Sequence, residues 1–271
     1  MGPGGAYLGR LLDFAQPSCD DVCLDVAYGH APIAAALRSR VRYVTSVDAG
    51  PRPESRHPGP RAAPDTAPYA LPPATPPRRV LTGPPATTAG TTAPPRPRGR
   101  PATLPPVLAS TLALPYKDRA FTLVTAQLAL HSLADPLTAV REMLRVCRLD
   151  GRLIVAGRVQ ASAGSAANVA RDRLERLRDP AHAGTPSLSR LTGLLATAGA
   201  DVRRLDVFVV ERPAEPWLAG CDRTVADVIR SALFAEIDGG PCTGVRPRLI
   251  GGEIWFTQSW AHIAATPATA P

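Results

Sequence analysis

Residues 121–156 read as a strand, a helix and a second strand, and this order restricts the possible folds more than any other part of the sequence. Residues 121–126 are apolar and β-prone, Pro136–Val146 carries apolar residues at helical spacing, and Asp150-Gly151 predicts a turn before a strand over residues 152–156. Residues 22–26, 32–40 and 41–47 repeat this order. Parallel strands joined by a helix require a right-handed crossover, so we predict an α/β protein with a mostly parallel sheet and helices on both faces.

The rest of the chain predicts further helices and strands. Residues 7–17 favour a helix, and residues 107–108 form a short strand that either pairs with the sheet or stands apart from it. A helix is predicted over residues 165–179 with Val169, Leu174 and Leu177 on its apolar side, and a second over Leu188–Ala198, ended by Gly199. A strand over 202–211, a helix over 224–237 and a late edge strand over 253–264 follow.

Residues 51–106 interrupt this pattern. They contain 18 of the 31 prolines and very few large apolar side chains. Proline removes backbone donors and fixes φ, and a segment without apolar side chains cannot offset its ordering entropy, so we predict disorder with polyproline-II character. The segment holds eight Arg against one Glu and one Asp, a net of +6, which leaves +2 of the chain's +8 for the remainder. That distribution argues against a specific nucleic-acid partner.

The cysteines and the apolar runs indicate the compartment. Five cysteines without a regular framework predict reduced thiols and a cytoplasmic location, and no metal site is expected. The first ten residues lack the apolar region of a signal peptide. The sequence also has no run of about 18 apolar residues, so we expect no membrane partner.

The sequence of residues 114–157 resembles that of one known family. It is similar to the class I S-adenosylmethionine (SAM) dependent methyltransferases, in particular those of the ubiquinone/menaquinone type. The resemblance extends over about residues 8–48 and 107–265. It implies a Rossmann-like fold with an antiparallel strand at the sheet edge near the C-terminus, SAM as cofactor and a small molecule as substrate. The matching residues are Leu114-Pro115-Tyr116, Asp118, Phe121, Val124, Leu130-His131, Asp135-Pro136, Arg141-Glu142-Met143, Arg145-Val146 and Gly151.

This resemblance also divides the chain. Residues 1–50 are expected to form the first part of the methyltransferase domain, and residues 107–265 the remainder together with a cap over the substrate. Residues 51–106 stand where the family has a helix and a strand, and residues 266–271 form a tail.

The same resemblance implies a cofactor site in three parts. The glycine-rich turn after the first strand falls on Asp25, Ala27, Gly29 and Ala31. Asp48 after the second strand is the expected acceptor for the ribose hydroxyls. For the third part, the resemblance implies that Ser110 is the polar residue near the adenine. It also implies that Gln127 lies near the methionine moiety.

Two of these positions depart from the family pattern. Ala31 stands where the family has glycine, and Ser110 cannot supply a carboxylate. If position 31 requires a positive φ, alanine costs roughly 1 kcal/mol or more. These departures favour an alternative function, a protein of methyltransferase fold that no longer methylates and serves as a binding scaffold or another catalyst.

Two histidines are candidate general bases. His131 follows the fourth strand beside the expected methyl position, and His182 lies on the predicted cap. For each, a structural role in packing its loop is the competing interpretation. Trp217, Trp255 and Trp260 are expected to pack in the core or cap rather than to bind substrate.

Two explanations of residues 51–106 remain open. The segment is either an insertion that makes weak contacts of the Pro-rich-ligand kind, in which case the chain could serve as an interaction module, or a stretch translated out of frame between two compensating shifts. Third-position GC content along the gene distinguishes them, because an in-frame segment keeps the usual third-position bias.

Overall fold

A computed structural model describes residues 3–27, 32–48, 107–127, 130, 133, 135–160, 165–180 and 182–268. The segment 51–106, with the predictions made for it, lies outside the described residues.

A single mixed sheet forms the centre of the described structure. Its eight described strands are β1 (Val22–Ala27), β2 (Tyr43–Asp48), β3 (Val107–Leu108), β4 (Phe121–Gln127), β5 (Cys147–Arg158), β6 (Ala200–Pro213), β7 (Arg248–Ile250) and β8 (Glu253–Pro267). They follow the order β3-β2-β1-β4-β5-β8-β6, and β7 pairs with β8 outside this order. The first five strands are parallel, and β8 runs antiparallel to both β5 and β6.

Helices cover both faces of this sheet. The described helices are α1 (Pro3–Ala15), α2 (Pro32–Leu37), α3 (Pro136–Val146), α4 (Ala166–Arg178), α5 (Leu188–Ala198), α6 (Ala214–Leu218) and α7 (Arg223–Ile237). Val124 and its alternate neighbours pack under α3 and α5, whereas Leu123 and Ile154 pack under α1 and α2. A third apolar cluster joins α6 and α7 to Phe256 of β8. None of the described helices is long and apolar enough to cross a membrane.

Local signals fix the helix ends that the sequence predicts well. Asp135 and Ser187 accept hydrogen bonds from the backbone N–H groups of Thr138 and Arg190, which satisfies the first turns of α3 and α5. Gly199 ends α5 with φ of 91°, the left-handed conformation expected of a glycine at that position. The short strand at residues 107–108 also has a definite place, because β3 pairs in parallel with β2.

The structure differs from the sequence predictions around β5 and β8. Asp150-Gly151 lies inside β5 rather than in a turn before it, because the strand begins at Cys147 and a register shift against β4 takes up the extra residues. The C-terminal strand is antiparallel as expected, but β8 lies between β5 and β6, so β6 is the edge strand. The pattern of apolar residues in β8 predicts that the strand is buried, but it does not predict which strands lie beside it.

Helix α4 also departs from its predicted orientation. Leu174 is buried as expected, but Val169 is 69% exposed and Leu177 is 44% exposed. The helix packs against α7 and also contacts β5 and β8 through Leu174 and Glu175. Because it buries the charged residues Arg171 and Glu175, its apolar pattern does not mark its buried side. Helix α6 and strand β7 were not predicted, since each has five residues or fewer.

Candidate functional site

The register of the strands brings several of the predicted cofactor residues together. Asp48 pairs with Ala27 on one side and with Leu108 on the other, so the carboxyl ends of β1, β2 and β3 lie side by side across the sheet. We call this row of residues, with its neighbours on β4, β5 and β8, the strand-end row. On the other side of β1, Val26 pairs with Ala126, which puts Gln127 next to Ala27 at the same height. These carboxyl ends of parallel strands form the edge at which open α/β sheets bind ligands.

Asp25 holds the base of this edge. Its buried carboxylate accepts a hydrogen bond from the Thr125 hydroxyl of β4 at 2.7 Å and another from the Ala34 backbone N–H in the first turn of α2 at 3.1 Å. Burial raises the pKa of Asp25 to about 6, and the two hydrogen bonds partly oppose that shift. Asp25 therefore ties β1 to β4 and to the start of α2, on either side of the predicted glycine-rich turn.

The other predicted cofactor residues are described to different extents. Ala27 is buried at the end of β1. Ser110 is exposed after β3, and its hydroxyl accepts a hydrogen bond from the Leu112 backbone N–H at 3.2 Å, which stabilises a local turn. The backbone of Asp48 ends β2, but its side chain lies outside the described residues, as do Gly29 and Ala31.

Gln127 ends β4 on the face covered by α1. Its side chain adjoins the hydroxyl of Tyr7, a residue of α1 whose ring packs on Trp260 with a centroid separation of 4.4 Å. Burial raises the pKa of Tyr7, and Gln127 opposes the shift. Tyr7 is consequently a neutral phenol near neutral pH and can donate a hydrogen bond.

His182, the second predicted base, is buried in the loop after α4. Its Nε2 atom lies 3.5 Å from Asp172 Oδ1, and burial lowers the pKa of the ring while the carboxylates of Glu175 and Asp172 oppose the shift. The first predicted base, His131, lies outside the described residues. The catalytic role of each histidine stays a prediction.

A cluster of charges above the sheet was not predicted from the sequence. Glu175 is 2% exposed on its side chain, and its carboxylate accepts hydrogen bonds from Arg158 and, at 3.3 Å, from Arg178. Gln258 lies 3.5 Å from the same carboxylate, and Arg212 lies near it without contacting it. The helical spacing of Glu175 and Arg178 was visible in the sequence, but the pairing with β5 and β8 is not a local signal.

A histidine in the strand-end row is buried in an aromatic environment. His262 of β8 pairs with Ala156 of β5, is 0% exposed and contacts the rings of Tyr7 and Phe208. Burial lowers the pKa of His262 to about 4, so its ring is neutral and supports Tyr7 by packing.

In the described part of the chain, two of the cavities border this edge of the sheet. The larger one, of about 610 Å³, lies between the loop after β4, the start of α5 and the segment after α4, and Asp172, Arg176 and Arg190 are its charged lining residues. The smaller one, of about 190 Å³, lies on the opposite face beside Tyr7 and Trp260. From the sequence, we expected the three tryptophans to serve in packing. Trp260 also lines the smaller cavity, which that expectation did not include.

Comparison with known sequences confirms the resemblance. Residues 89–155 match the family model described as a methyltransferase domain, of type 11. A stretch of 77 residues is 36% identical to the uncharacterized methyltransferase YcgJ of Bacillus subtilis strain 168. That stretch is 28% of this chain and 30% of the relative, so the match spans less than a third of the relative's length.

Comparison with solved structures confirms the Rossmann-like methyltransferase fold. The YcgJ structure gives a TM-score of 0.67 at 18% identity and covers 98% of this chain and 100% of its own. Geranyl diphosphate C-methyltransferase from Streptomyces coelicolor A3(2), solved with S-adenosyl-L-homocysteine, gives 0.53 at 11% identity, covering 98% and 79%. The [4+2]-cyclase SpnF gives 0.51 at 15% identity, covering 98% and 81%. At these identities the structural likeness concerns the fold alone.

Proposed function

We propose that this chain is a SAM-dependent methyltransferase that transfers a methyl group to a small molecule. The observation that carries the proposal is the strand-end row, which aligns Ala27, Asp48 and Gln127 inside a fold shared with methyltransferases. The methyltransferase-domain match over residues 89–155 supports it independently. The cofactor is inferred from the family, and a structural neighbour was solved with S-adenosyl-L-homocysteine.

The backbone positions of Ala27, Asp48 and Gln127 at the strand ends fit this cofactor. Bound SAM supplies an electrophilic methyl group at its sulfonium. Asp48, whose backbone ends β2, would accept hydrogen bonds from two ribose hydroxyls, and Gln127 at the end of β4 would offer an amide near the methionine moiety. Ala27 is buried at the end of β1, and its small side chain would allow the ligand to approach the backbone there.

The chain's own residues would act mainly by positioning. Asp25 fixes the start of α2 against β1 and β4, and Tyr7 and Gln127 mark the place where an acceptor would lie next to the cofactor. Aligning two reactants in this way lowers the barrier by removing the entropy cost of their encounter.

An alternative is a protein of this fold that does not methylate. Ser110 supports it, because its exposed hydroxyl is engaged in a local turn instead of replacing the family's acidic residue. A structural neighbour described as a [4+2]-cyclase supports it too, since the fold serves another reaction there.

The cysteines and the charge distribution support an inference about the cellular setting. We infer a cytoplasmic protein with a small-molecule substrate and without a specific nucleic-acid or membrane partner. All five cysteines are free thiols in the structure, which supports a reducing compartment.

Calorimetric titration of the full chain with S-adenosyl-L-homocysteine tests the proposed function. We expect micromolar binding by the parent and at least a tenfold loss in Asp48→Ala, because the ribose hydroxyls lose a charged acceptor. Asp201→Ala is the matched control, since Asp201 is exposed and lies at the opposite end of the sheet, paired with Thr266. A folded parent that does not bind the compound would refute SAM-dependent transfer and favour the alternative.

A further inference from the structure

The cavity of about 190 Å³ has a defined position relative to the proposed cofactor edge. Tyr7 of α1, Val210, Arg212 and Pro213 of β6, and Gln258 and Trp260 of β8 line it. Trp260 pairs with Arg158, two residues beyond Ala156 of the strand-end row, so the cavity lies just above that row. Tyr7 links the two places, because its hydroxyl adjoins Gln127 at the end of β4.

Two buried polar atoms at this cavity lack hydrogen-bond partners among the described residues. Trp260 is 7% exposed, and its Nε1–H meets no acceptor. The Tyr7 hydroxyl is likewise buried and forms no hydrogen bond of normal geometry. A buried donor without a partner costs about 1–3 kcal/mol, so these two groups point to a ligand that accepts their hydrogen bonds.

The charge of Arg212 is also unmatched within the described part of the chain. Its guanidinium contacts the Gln258 side-chain oxygen at 3.4 Å, while Glu175 nearby is already bonded to Arg158 and Arg178. Burial lowers the pKa of Arg212, and repulsion by Arg158 and Arg178 adds to this, against the attraction of Glu175. One carboxylate therefore faces three guanidinium groups, and the surplus charge at the cavity is positive.

The size and the walls of the cavity limit the ligand further. A cavity of roughly 150 Å³ accommodates benzene, so about 190 Å³ holds one six-membered ring with one small substituent. Val210, Pro213 and Pro216 supply apolar walls, and the rings of Tyr7 and Trp260 supply flat ones. Such walls favour a planar apolar body over a flexible polar one.

We propose that this cavity binds the methyl acceptor, and that the acceptor is a small monocyclic carboxylate. Its carboxylate would accept hydrogen bonds from Arg212 and from Trp260 Nε1–H, and its ring would lie between the apolar walls with the far end toward Tyr7 and Gln127. Tyr7 is a positioning residue that donates its hydroxyl hydrogen to the acceptor. The assignment as an acceptor site rests on the proposed function, whereas the binding of a carboxylate does not.

Calorimetry on the full chain with benzoate as the probe tests this inference, in the presence and in the absence of S-adenosyl-L-homocysteine. We expect benzoate to bind, benzylamine of the same size and opposite charge not to bind, and Arg212→Met to weaken benzoate binding about tenfold or more. Arg203→Met is the matched control on the same strand, because Arg203 is exposed and pairs with Asp201 away from the cavity. Should Arg212→Met fail to fold, Trp260→Phe keeps the ring and removes the Nε1–H.

The two proposals can fail separately. Equal benzoate affinity of the parent and Arg212→Met, no benzoate binding, or preference for benzylamine overturns the carboxylate pocket, even if S-adenosyl-L-homocysteine binds normally and the proposed function stands. If S-adenosyl-L-homocysteine does not bind, the acceptor role is overturned together with the proposed function. Benzoate binding that depends on Arg212 would then still support a carboxylate site.

Discussion

At the scale of single residues, burial of the Asp25 carboxyl group makes the free energy of unfolding depend on pH. Its carboxyl group is 1% exposed and has a pKa of about 6 in the folded chain, against an ordinary value of 3.8. A raised folded pKa contributes stability that is present below the unfolded pKa and is lost as the pH rises through the folded one. The contribution of Asp25 therefore declines between about pH 4 and pH 6.

Comparing the parent with Asp25→Asn tests this dependence. Relative to the variant, the free energy of unfolding of the parent should fall by about 3 kcal/mol from pH 4 to pH 7, because two pKa units correspond to that amount. Urea denaturation without cofactor at several pH values measures it, and other titrating groups cancel in the difference. A constant difference between the two curves would show that Asp25 ionises as easily folded as unfolded.

The sequence identified the residues of the strand-end row but not those of the small cavity. Asp25 and Gln127 were expected at the site only through the family resemblance, and in the structure each lies at or near the end of a parallel strand. Tyr7, Arg212 and Trp260 come from three distant elements, and their meeting depends on β8 lying next to β6. No local pattern carries that information.

At the scale of elements, Arg152 of β5 fastens the end of α1. Its guanidinium donates hydrogen bonds to the carbonyl oxygens of Ala15 and Gln16 at 3.0 and 2.8 Å and to Asp21 Oδ2 at 2.7 Å. Burial raises the pKa of Asp21, but hydrogen bonds led by that from Arg152 outweigh it and leave the pKa below its ordinary value. Removing Arg152 would leave a buried carboxylate without its cation.

We expect Arg152→Met to lower the free energy of unfolding by about 3 kcal/mol. Arg148→Met on the same strand is the control, and it should change stability by less than about 0.5 kcal/mol, because Arg148 pairs with Asp150 at the surface. Chemical denaturation of the three proteins measures both changes. Similar losses in the two variants would argue that strand propensity, not the buried pair, is responsible.

The loop before β7 depends on one glycine. Gly244 has φ of 79°, and a Cβ atom there would lie 1.9 Å from the Ala167 carbonyl oxygen in α4. Its own carbonyl oxygen accepts a hydrogen bond from Arg171 at 2.5 Å. The loop therefore packs directly on the backbone of α4.

Gly244→Ala should cost more than about 3 kcal/mol and loosen α4 and α7, since the clash is with backbone. Gly239→Ala should cost only about 1 kcal/mol, because φ is 88° there but no atom lies within 4 Å. Thermal unfolding and limited proteolysis of α4 report the two effects. A cost at position 244 no larger than that at 239 would show that the loop can move away.

Elements with strong end signals were predicted to the residue, and others were not. The bounds of α3 and α5 match the structure, because Asp135, Ser187 and Gly199 cap them locally. The position of β8 could not be obtained in this way, since an alternating strand fits the middle of a sheet as well as its edge.

At the scale of the whole molecule, the pairing of β2 with β3 brings the two strands that flank residues 51–106 side by side. Val47 of β2 pairs with Val107 of β3, so the two ends of the segment attach to strands about 5 Å apart. We expect a chain with a Gly-Ser linker of about 16 residues in place of residues 51–106, long enough for the crossover that parallel strands require, to melt within about 3 °C of the parent, because loop length has a small entropic effect. Scanning calorimetry tests this, and loss of the cooperative transition would mean that the segment belongs to the fold.

The insertion of β8 between β5 and β6 also has a consequence for synthesis. β5 and β6 leave the ribosome before β8, whose residues run to Pro267. β5 can already pair with β4, but β6 has no described neighbour except β8 and cannot pair until β8 has been synthesised. During that interval Val207 and Val209 of β6 have no sheet to join. β6 therefore stays unpaired until β8 has been synthesised, and a chaperone that binds extended apolar segments would bind β6 during that interval.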